Sequence, residues 1–324
     1  MKNPLYLVLG FLLFISCNDS NEKSDRVLTD SSGNINQVTV VIENDLWEGE
    51  VGESIRRNLA ASVEGLPQEE PLFSLSQIPP STFSGFVRKN RLFLKVEESA
   101  DTAVNVVSNV YSRPQTGVIV RGDKQQISDL LDKEGENIVR LFKQTELKEK
   151  QRRMGKSLKD DARLKKKFGL SLKFPSAYRY ALEEENFVWI RKEIQKGNME
   201  ILIYEVPLSR IEKDTNVIGN IIALRDSIGL AHIPGPVDGS YMITEEAYAP
   251  YLFDSQIDGK FAYETRGTWE VKNAFMAGPF VNYAVRDEAN NRYLILEGFV
   301  FSPSRGKRDN IFELDAILQS AKIK

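Results

Sequence analysis

A single cysteine, Cys17, rules out an intramolecular disulfide, so whatever this chain folds into must be held together by packing alone. Its composition permits that. Of its 324 residues, 41% are hydrophobic and 27% charged, the balance of a globular protein with a real core rather than of a disordered chain. A chain of this length exceeds what one core usually spans, which predicts two domains. With 43 Lys and Arg against 46 Asp and Glu the formal net charge is −3. That supplies no field to gather nucleic acid, so no nucleic-acid partner is expected. One histidine, His232, excludes most histidine-based metal centres, and no cofactor is expected.

The position of the cysteine carries its own message. Lys2 precedes an apolar run over residues 5–15, which has the length of a signal-peptide core and falls short of the roughly 20 residues needed to span a bilayer. Phe14-Ile15-Ser16-Cys17 resembles the lipobox of bacterial lipoproteins, in which the thiol is alkylated with diacylglycerol and becomes the new N-terminus. Phe14 stands where that motif more commonly has Leu. The resemblance implies that residues 1–16 are a signal peptide, that Cys17 carries the lipid with palmitate-type chains, and that the protein resides in the cell envelope, on the periplasmic face or the cell surface. Residues 17–36, polar and without an aromatic, read as a lipidated flexible tether reaching on the order of 25 Å.

Beyond the tether, residues 37–147 are expected to form a small α/β domain. The β-branched run at 38–42 predicts a buried strand, and the spacing of Ile55, Leu59 and Val63 predicts a helix. Four prolines in residues 66–80 enforce loop or extended chain. Strands are predicted over 86–96 and 116–121, and Asp123 is placed to cap a long helix. Residues 148–168 are strongly basic and read as a helical connector. Residues 169–324 form a second, α+β domain: strands at 170–174, 187–192 and 199–206, a helix at 216–228, strands at 261–271, 279–286 and 293–301, then a helix with Ile311, Leu314, Ile317 and Leu318 on its core face. That order predicts an antiparallel sheet covered by helices, similar in topology to the PsbP family, by analogy alone.

Motif-like stretches lose to plainer readings. Met154-Gly155-Lys156-Ser157 has the end of a phosphate loop, but Lys150 stands where the first glycine belongs. Ser304-Arg305-Gly306-Lys307 fits a Ser-x-x-Lys pattern without its partner motifs, so Ser304 is read as a helix cap. His232 lies in a turn-rich stretch with no motif around it. The pairs Glu69-Glu70, Glu97-Glu98 and Glu245-Glu246 are adjacent in sequence and cannot flank one glycosidic bond, so they read as solvated surface.

Two surfaces remain. Arg152, Arg153, Lys165, Lys166 and Lys167 are candidates for contact with an anionic surface, against the alternative of a solvated helix face. Arg266, Trp269, Phe275 and Met276 are residue types favoured in interface cores and form a candidate partner surface, against the alternative of domain core. The break at Ala277-Gly278-Pro279 puts Phe275 and Met276 in a connection between strands.

Read together, residues 38–47 (VTVVIENDLW), 66–79 (LPQEEPLFSLSQIP), 83–91 (FSGFVRKNR), 186–193 (NFVWIRKE), 266–285 (RGTWEVKNAFMAGPFVNYAV) and 296–317 (LEGFVFSPSRGKRDNIFELDAI) resemble domain-of-unknown-function family 4837, lipoproteins of Bacteroidota. The resemblance covers nearly the whole mature chain. It implies an envelope lipoprotein and no catalytic residues. The expectation is a non-enzymatic binding or assembly module for an envelope protein or polymer; the alternative is an envelope hydrolase using carboxylates or Ser304.

Overall fold

All four residues from Val38 to Val41 are buried in β1 (Gln37–Val41), which lies inside the first sheet with parallel strands on both sides. The structure is a computed structural model and describes residues 27–324; Cys17, the apolar leader and the first part of the tether lie outside the described residues. After β1 come α1 (Asn44–Glu48), α2 (Glu50–Leu59), β2 (Ser74–Ile78), β3 (Leu92–Glu98), β4 (Ala103–Ser108), β5 (Thr116–Gly122) and α3 (Lys124–Met154). The first sheet runs β2-β1-β3-β5-β4, parallel except for the β4 edge. Ile55 and Leu59 of α2 and Ile127, Leu131, Ile138 and Phe142 of α3 share its core. The start of α3 is set by a capping box: Asp123 accepts from the Gln126 amide at 2.9 Å and the Gln126 side chain accepts from the Asp123 amide at 3.0 Å.

The second half contains α4 (Ala162–Phe168), β6 (Leu170–Ser171), β7 (Arg179–Glu183), β8 (Phe187–Ile194), β9 (Gly197–Pro207), α5 (Val217–His232), β10 (Met242–Thr244), β11 (Tyr251–Ile257), β12 (Lys260–Val271), β13 (Ala274–Asp287), β14 (Arg292–Phe301), α6 (Arg308–Leu318) and β15 (Lys322–Ile323). Its main sheet, β10-β12-β13-β14-β9-β8-β7 with β11 also on β12, is antiparallel throughout. Side-chain alternation gives it two cores. On one face Ile201, Val281, Tyr283 and Leu296 meet Ile311, Leu314 and Leu318 of α6; on the other Leu202, Phe280 and Ile295 meet Ile221 and Leu224 of α5. The fold class is therefore α+β, a small α/β unit followed by an antiparallel sheet covered by helices.

Several expectations need correction. The tether does not extend to Asn36. From Thr29 onward the backbone is tied to the fold: Arg113 N donates to Thr29 O at 2.9 Å, Ser32 N to Lys89 O at 2.9 Å and Asn36 N to Glu146 at 2.9 Å. Polar composition misled here because these residues are held through their backbone. The basic segment 148–168 is not a unit of its own, since α3 runs on through Met154 with Glu149 and Met154 buried. The strand expected at 86–96 begins only at Leu92, after a short 3-10 turn over Val87–Lys89. His232 ends α5 and stacks on Phe187, ring centroids 4.2 Å apart, with Glu184 3.3 Å from its Nδ1.

Phe275 and Met276 lie inside β13, not in a connection; the turn is Lys272-Asn273, with Asn273 at φ 66°. Pro279 is tolerated because pairing with β14 begins only at Phe280. Gly278 is required beside it, since a Cβ there would lie 2.0 Å from Val300 O.

Ser304 does not cap α6 either. The cap comes from the other half of the molecule: Glu70 accepts from the Lys307 amide at 2.6 Å and the Arg308 amide at 3.1 Å, a carboxylate on the positive end of a helix. Arg308 returns the contact, donating to Pro71 O at 3.0 Å and Ser74 Oγ at 3.2 Å. Glu70→Ala is expected to lower stability by about 1 kcal/mol, as loss of a helix cap does, while Ser304→Ala stays within about 0.5 kcal/mol of wild type. Urea midpoints check this, and the reverse ranking would return the cap to Ser304.

Candidate functional site

Where the two halves meet, α3 and α6 line a cleft of about 850 Å³. One wall is α3 with Glu136, Val139, Arg140, Lys143, Gln144 and Leu147; the 3.6-residue period brings these onto one face. The opposite wall is α6 with Ile311, Phe312, Asp315 and Gln319. Val63, Glu64 and Leu72 close a third side, and Glu264 and Arg266 of β12 form the floor.

The floor is a closed polar network. Arg266 donates to Glu264 at 2.5 Å and to Asp315 at 2.6 Å, and Asp315 also accepts from Tyr283 and Gln319, each at 2.7 Å. Burial pushes the Asp315 carboxyl up, but Arg266 and these donors outweigh it and hold the group below the usual carboxylate range. Burial, then the Asp315 charge, pushes the Tyr283 phenol well above its ordinary value. Asp315 is thus an ionised acceptor, not a proton donor.

The walls differ. Arg57 is held by Asp132 at 2.7 Å, and Arg308 by Asp309 at 2.9 Å. Arg140 has only the neutral Asn137 amide, at 2.8 Å, and Lys143 has no hydrogen-bond or ion-pair partner among the described residues. The Lys143 side chain is open to solvent in the cleft yet ringed by protein; that enclosure first, and Arg266 next, lower its ammonium from the ordinary lysine value, against Asp315, Glu64 and Glu264. Glu64 and Glu136 are the lining carboxylates that no cation holds within 4.0 Å among the described residues.

Only Arg266 of the expected partner surface reaches this cleft. Trp269 is buried on the opposite face of the sheet, its Nε1 donating to Val300 O at 3.3 Å. That face is covered from the α5 side. Met276 packs half-buried on the same core, and Phe275 is fully exposed beside the hairpin turn. The four residues do not form one surface. The basic group is similarly divided: Arg152 and Arg153 both bind Glu149 at 2.7 Å and Lys165 binds Asp161 at 2.7 Å, while Lys167 donates to Glu184 O at 2.6 Å. Lys166 is exposed, and no charge partner of it is found among the described residues. These neutralising acids stand three and four residues upstream on the same helices or at their starts. Arg152 and Glu149, with Arg113 and Lys148, border a smaller depression of about 380 Å³.

Sequence reading did not single out Arg140, Lys143 or Asp315. One signal existed: Asp315 is an acid between the core positions Leu314 and Ile317, which demands a buried partner. Among the described residues no group of three or more His, Cys, Asp or Glu is placed to hold a metal ion, and no helix is long and apolar enough to cross a membrane.

Residues 157–320 match the family described as domain of unknown function DUF4837, and residues 31–155 match a separate one, DUF8532. The resemblance to the first family therefore covers the C-terminal half and not nearly the whole mature chain; the stretches at 38–47, 66–79 and 83–91 fall in the second. The two matches meet just past the end of α3, and the cleft is lined from both. No curated protein matches the sequence. Among solved structures the chain is similar to the solution structure of cyanobacterial PsbP (CyanoP) from Synechocystis, at 14% identity over 48% of this chain and 87% of that one, with a TM-score of 0.32.

Proposed function

We propose that this chain, which belongs to the DUF4837 family through its C-terminal half, is a lipid-anchored envelope protein of a bacterium in the Bacteroidota that binds its partner in the cleft between its halves without catalysing a reaction. The observation that carries the binding reading is the cleft itself. Its volume lies within the range of ligand sites, its floor is locked by Arg266 and Asp315, and Lys143 on its wall has no partner among the described residues. The anchor rests on the signal and lipobox pattern ending at Cys17.

A hydrolase would need a carboxyl of raised pKa beside a second carboxylate in the cleft. The carboxyl that burial pushes up to about 8 is Glu200. It faces the α5 side of the sheet, away from the cleft, accepting from Trp189 Nε1 at 2.7 Å. Ser304 gains no support as a nucleophile, because the Lys307 ammonium that would serve as its base donates instead to Arg305 O at 2.9 Å.

Two measurements test the proposal. Cys17→Ser is expected to move the protein from the membrane fraction to a soluble or uncleaved form; mature protein at wild-type level in the membrane would refute the anchor. A photo-crosslinker placed at Val139, on the cleft wall, is expected to capture a defined species in native envelopes that the same group at Lys166 does not. Identical capture at both positions would remove the cleft as the binding site.

A further inference from the structure

Every arginine lining the cleft except one is held by a carboxylate: Arg57 by Asp132, Arg266 by Glu264 and Asp315, Arg308 by Asp309. The exception, Arg140, stands one helical turn from Lys143, which has no partner among the described residues, so two cations without a carboxylate partner lie side by side on one wall. A cation left unpaired in a partly enclosed site is an electrostatic vacancy for an anion, worth more there than on open surface because water screens it less. Apolar side chains share the lining with this pair: Val139 and Leu147 on α3, Phe312 on α6, and Val63 and Leu72 on the third side, all half-buried. A fully hydrated anion would leave those groups unused, whereas an anion joined to an apolar chain uses both.

We propose that the cleft binds an amphipathic anion, with its carboxylate or phosphate head on Lys143 and Arg140 and its hydrocarbon part along Val139, Leu147 and Phe312. This rests on the binding reading above and names its ligand chemistry. Glu64 and Glu136, the lining carboxylates without a cation, bound the head-group region, and Glu64 acts directly on the Lys143 charge. They therefore weaken anion binding, which makes the proposal testable in both directions.

The test is calorimetric titration of the full chain with decanoate and decyl phosphate at low salt and below their micellar concentrations. Decyl glucoside and decyltrimethylammonium serve as the neutral and cationic controls. At least one anion is expected to bind, about tenfold more tightly than the glucoside, with no binding of the cation. Binding of decanoate alone, of decyl phosphate alone, or of both identifies the head group and supports the proposal. Lys143→Gln and Arg140→Gln are each expected to weaken the anion about 5- to 10-fold, the scale of one charge-assisted hydrogen bond. Glu64→Gln is expected to tighten it, and Lys143→Arg to retain it. Both cations are at the surface of the cleft, so unchanged circular dichroism separates lost binding from lost fold. Equal affinity for the glucoside, equal affinity for acetate or inorganic phosphate, or no response to Lys143→Gln would overturn the proposal. A species captured from Val139 in envelopes without any amphiphile binding would keep the binding module and remove this ligand.

Discussion

Replacing Arg225 by Ala is expected to destabilise the protein by about 3–5 kcal/mol, the loss seen when one partner of a buried ion pair is removed. Arg225 on α5 and Glu297 on β14 are each only 1% exposed. The guanidinium donates to both carboxylate oxygens, at 2.9 and 2.7 Å, reaches Thr244 Oγ1 as well, and lies 3.5 Å over the Phe280 ring. Glu297 has one further donor, Asn282 at 2.8 Å. Without Arg225 a carboxylate is left in the core with a single amide for company, and water cannot reach it. Arg225→Met combined with Glu297→Leu is expected to recover most of the loss, because the double change removes the charge as well as its partner. Urea unfolding of the single and double variants decides it. A single variant that loses less than about 1 kcal/mol would mean that the site opens to water, contrary to the burial described.

Glu146→Ala is expected to cost a similar 3–5 kcal/mol and to release the N-terminal segment first. Arg91 and Glu146 are 1% and 0% exposed and joined by two bonds, of 2.6 and 3.0 Å. Glu146 also accepts the backbone amide of Asn36 at 2.9 Å, and Arg91 donates to Asn34 O at 2.7 Å. One ion pair therefore fastens residues 33–36 to α3 just where the chain enters the first sheet. In the variant Arg91 keeps a charge whose nearest other carboxylate is Glu149, at 3.9 Å. Amide exchange should accelerate at Asn36 and through residues 29–36 before the α3 core responds. Uniform acceleration across both halves would show that the segment is not an independent unit of opening.

The locally encoded features were legible in the sequence, within a residue or a turn. The valines of β1, the Asp123 cap and the core spacing of α6 each depend on neighbours within a few positions along the chain. The edge strand β4 was not legible: Ala103–Ser108 is only half covered and lacks the alternation of a strand with one buried face. β11 escaped for a similar reason, lying at the sheet margin with Tyr251 and Asp254 exposed. Phe275 looked like part of an aromatic surface with Trp269, but the pleat points the two to opposite faces, because Trp269 pairs with Gly278 and Phe275 lies an odd number of residues from that partner along β13.

Periodicity states which side of an element is apolar, and the chain determined that much by itself: an α+β order of elements in two halves, and a start that resembles a lipobox. It contains no instruction about which element covers which face or which charge finds which partner. Glu70 caps a helix 237 positions away and Arg266 meets Asp315 49 positions on. Those pairings exist only once both halves are packed, since the hydrogen-bond geometry that makes a carboxylate a cap or a clamp extends over about 3 Å, whatever the distance along the chain. The cleft is of the same kind. Two of its walls are ordinary amphipathic helices, and the space between α3 and α6, with Arg140 and Lys143 left without a carboxylate partner among the described residues, is set by where the two halves dock and by nothing local to either.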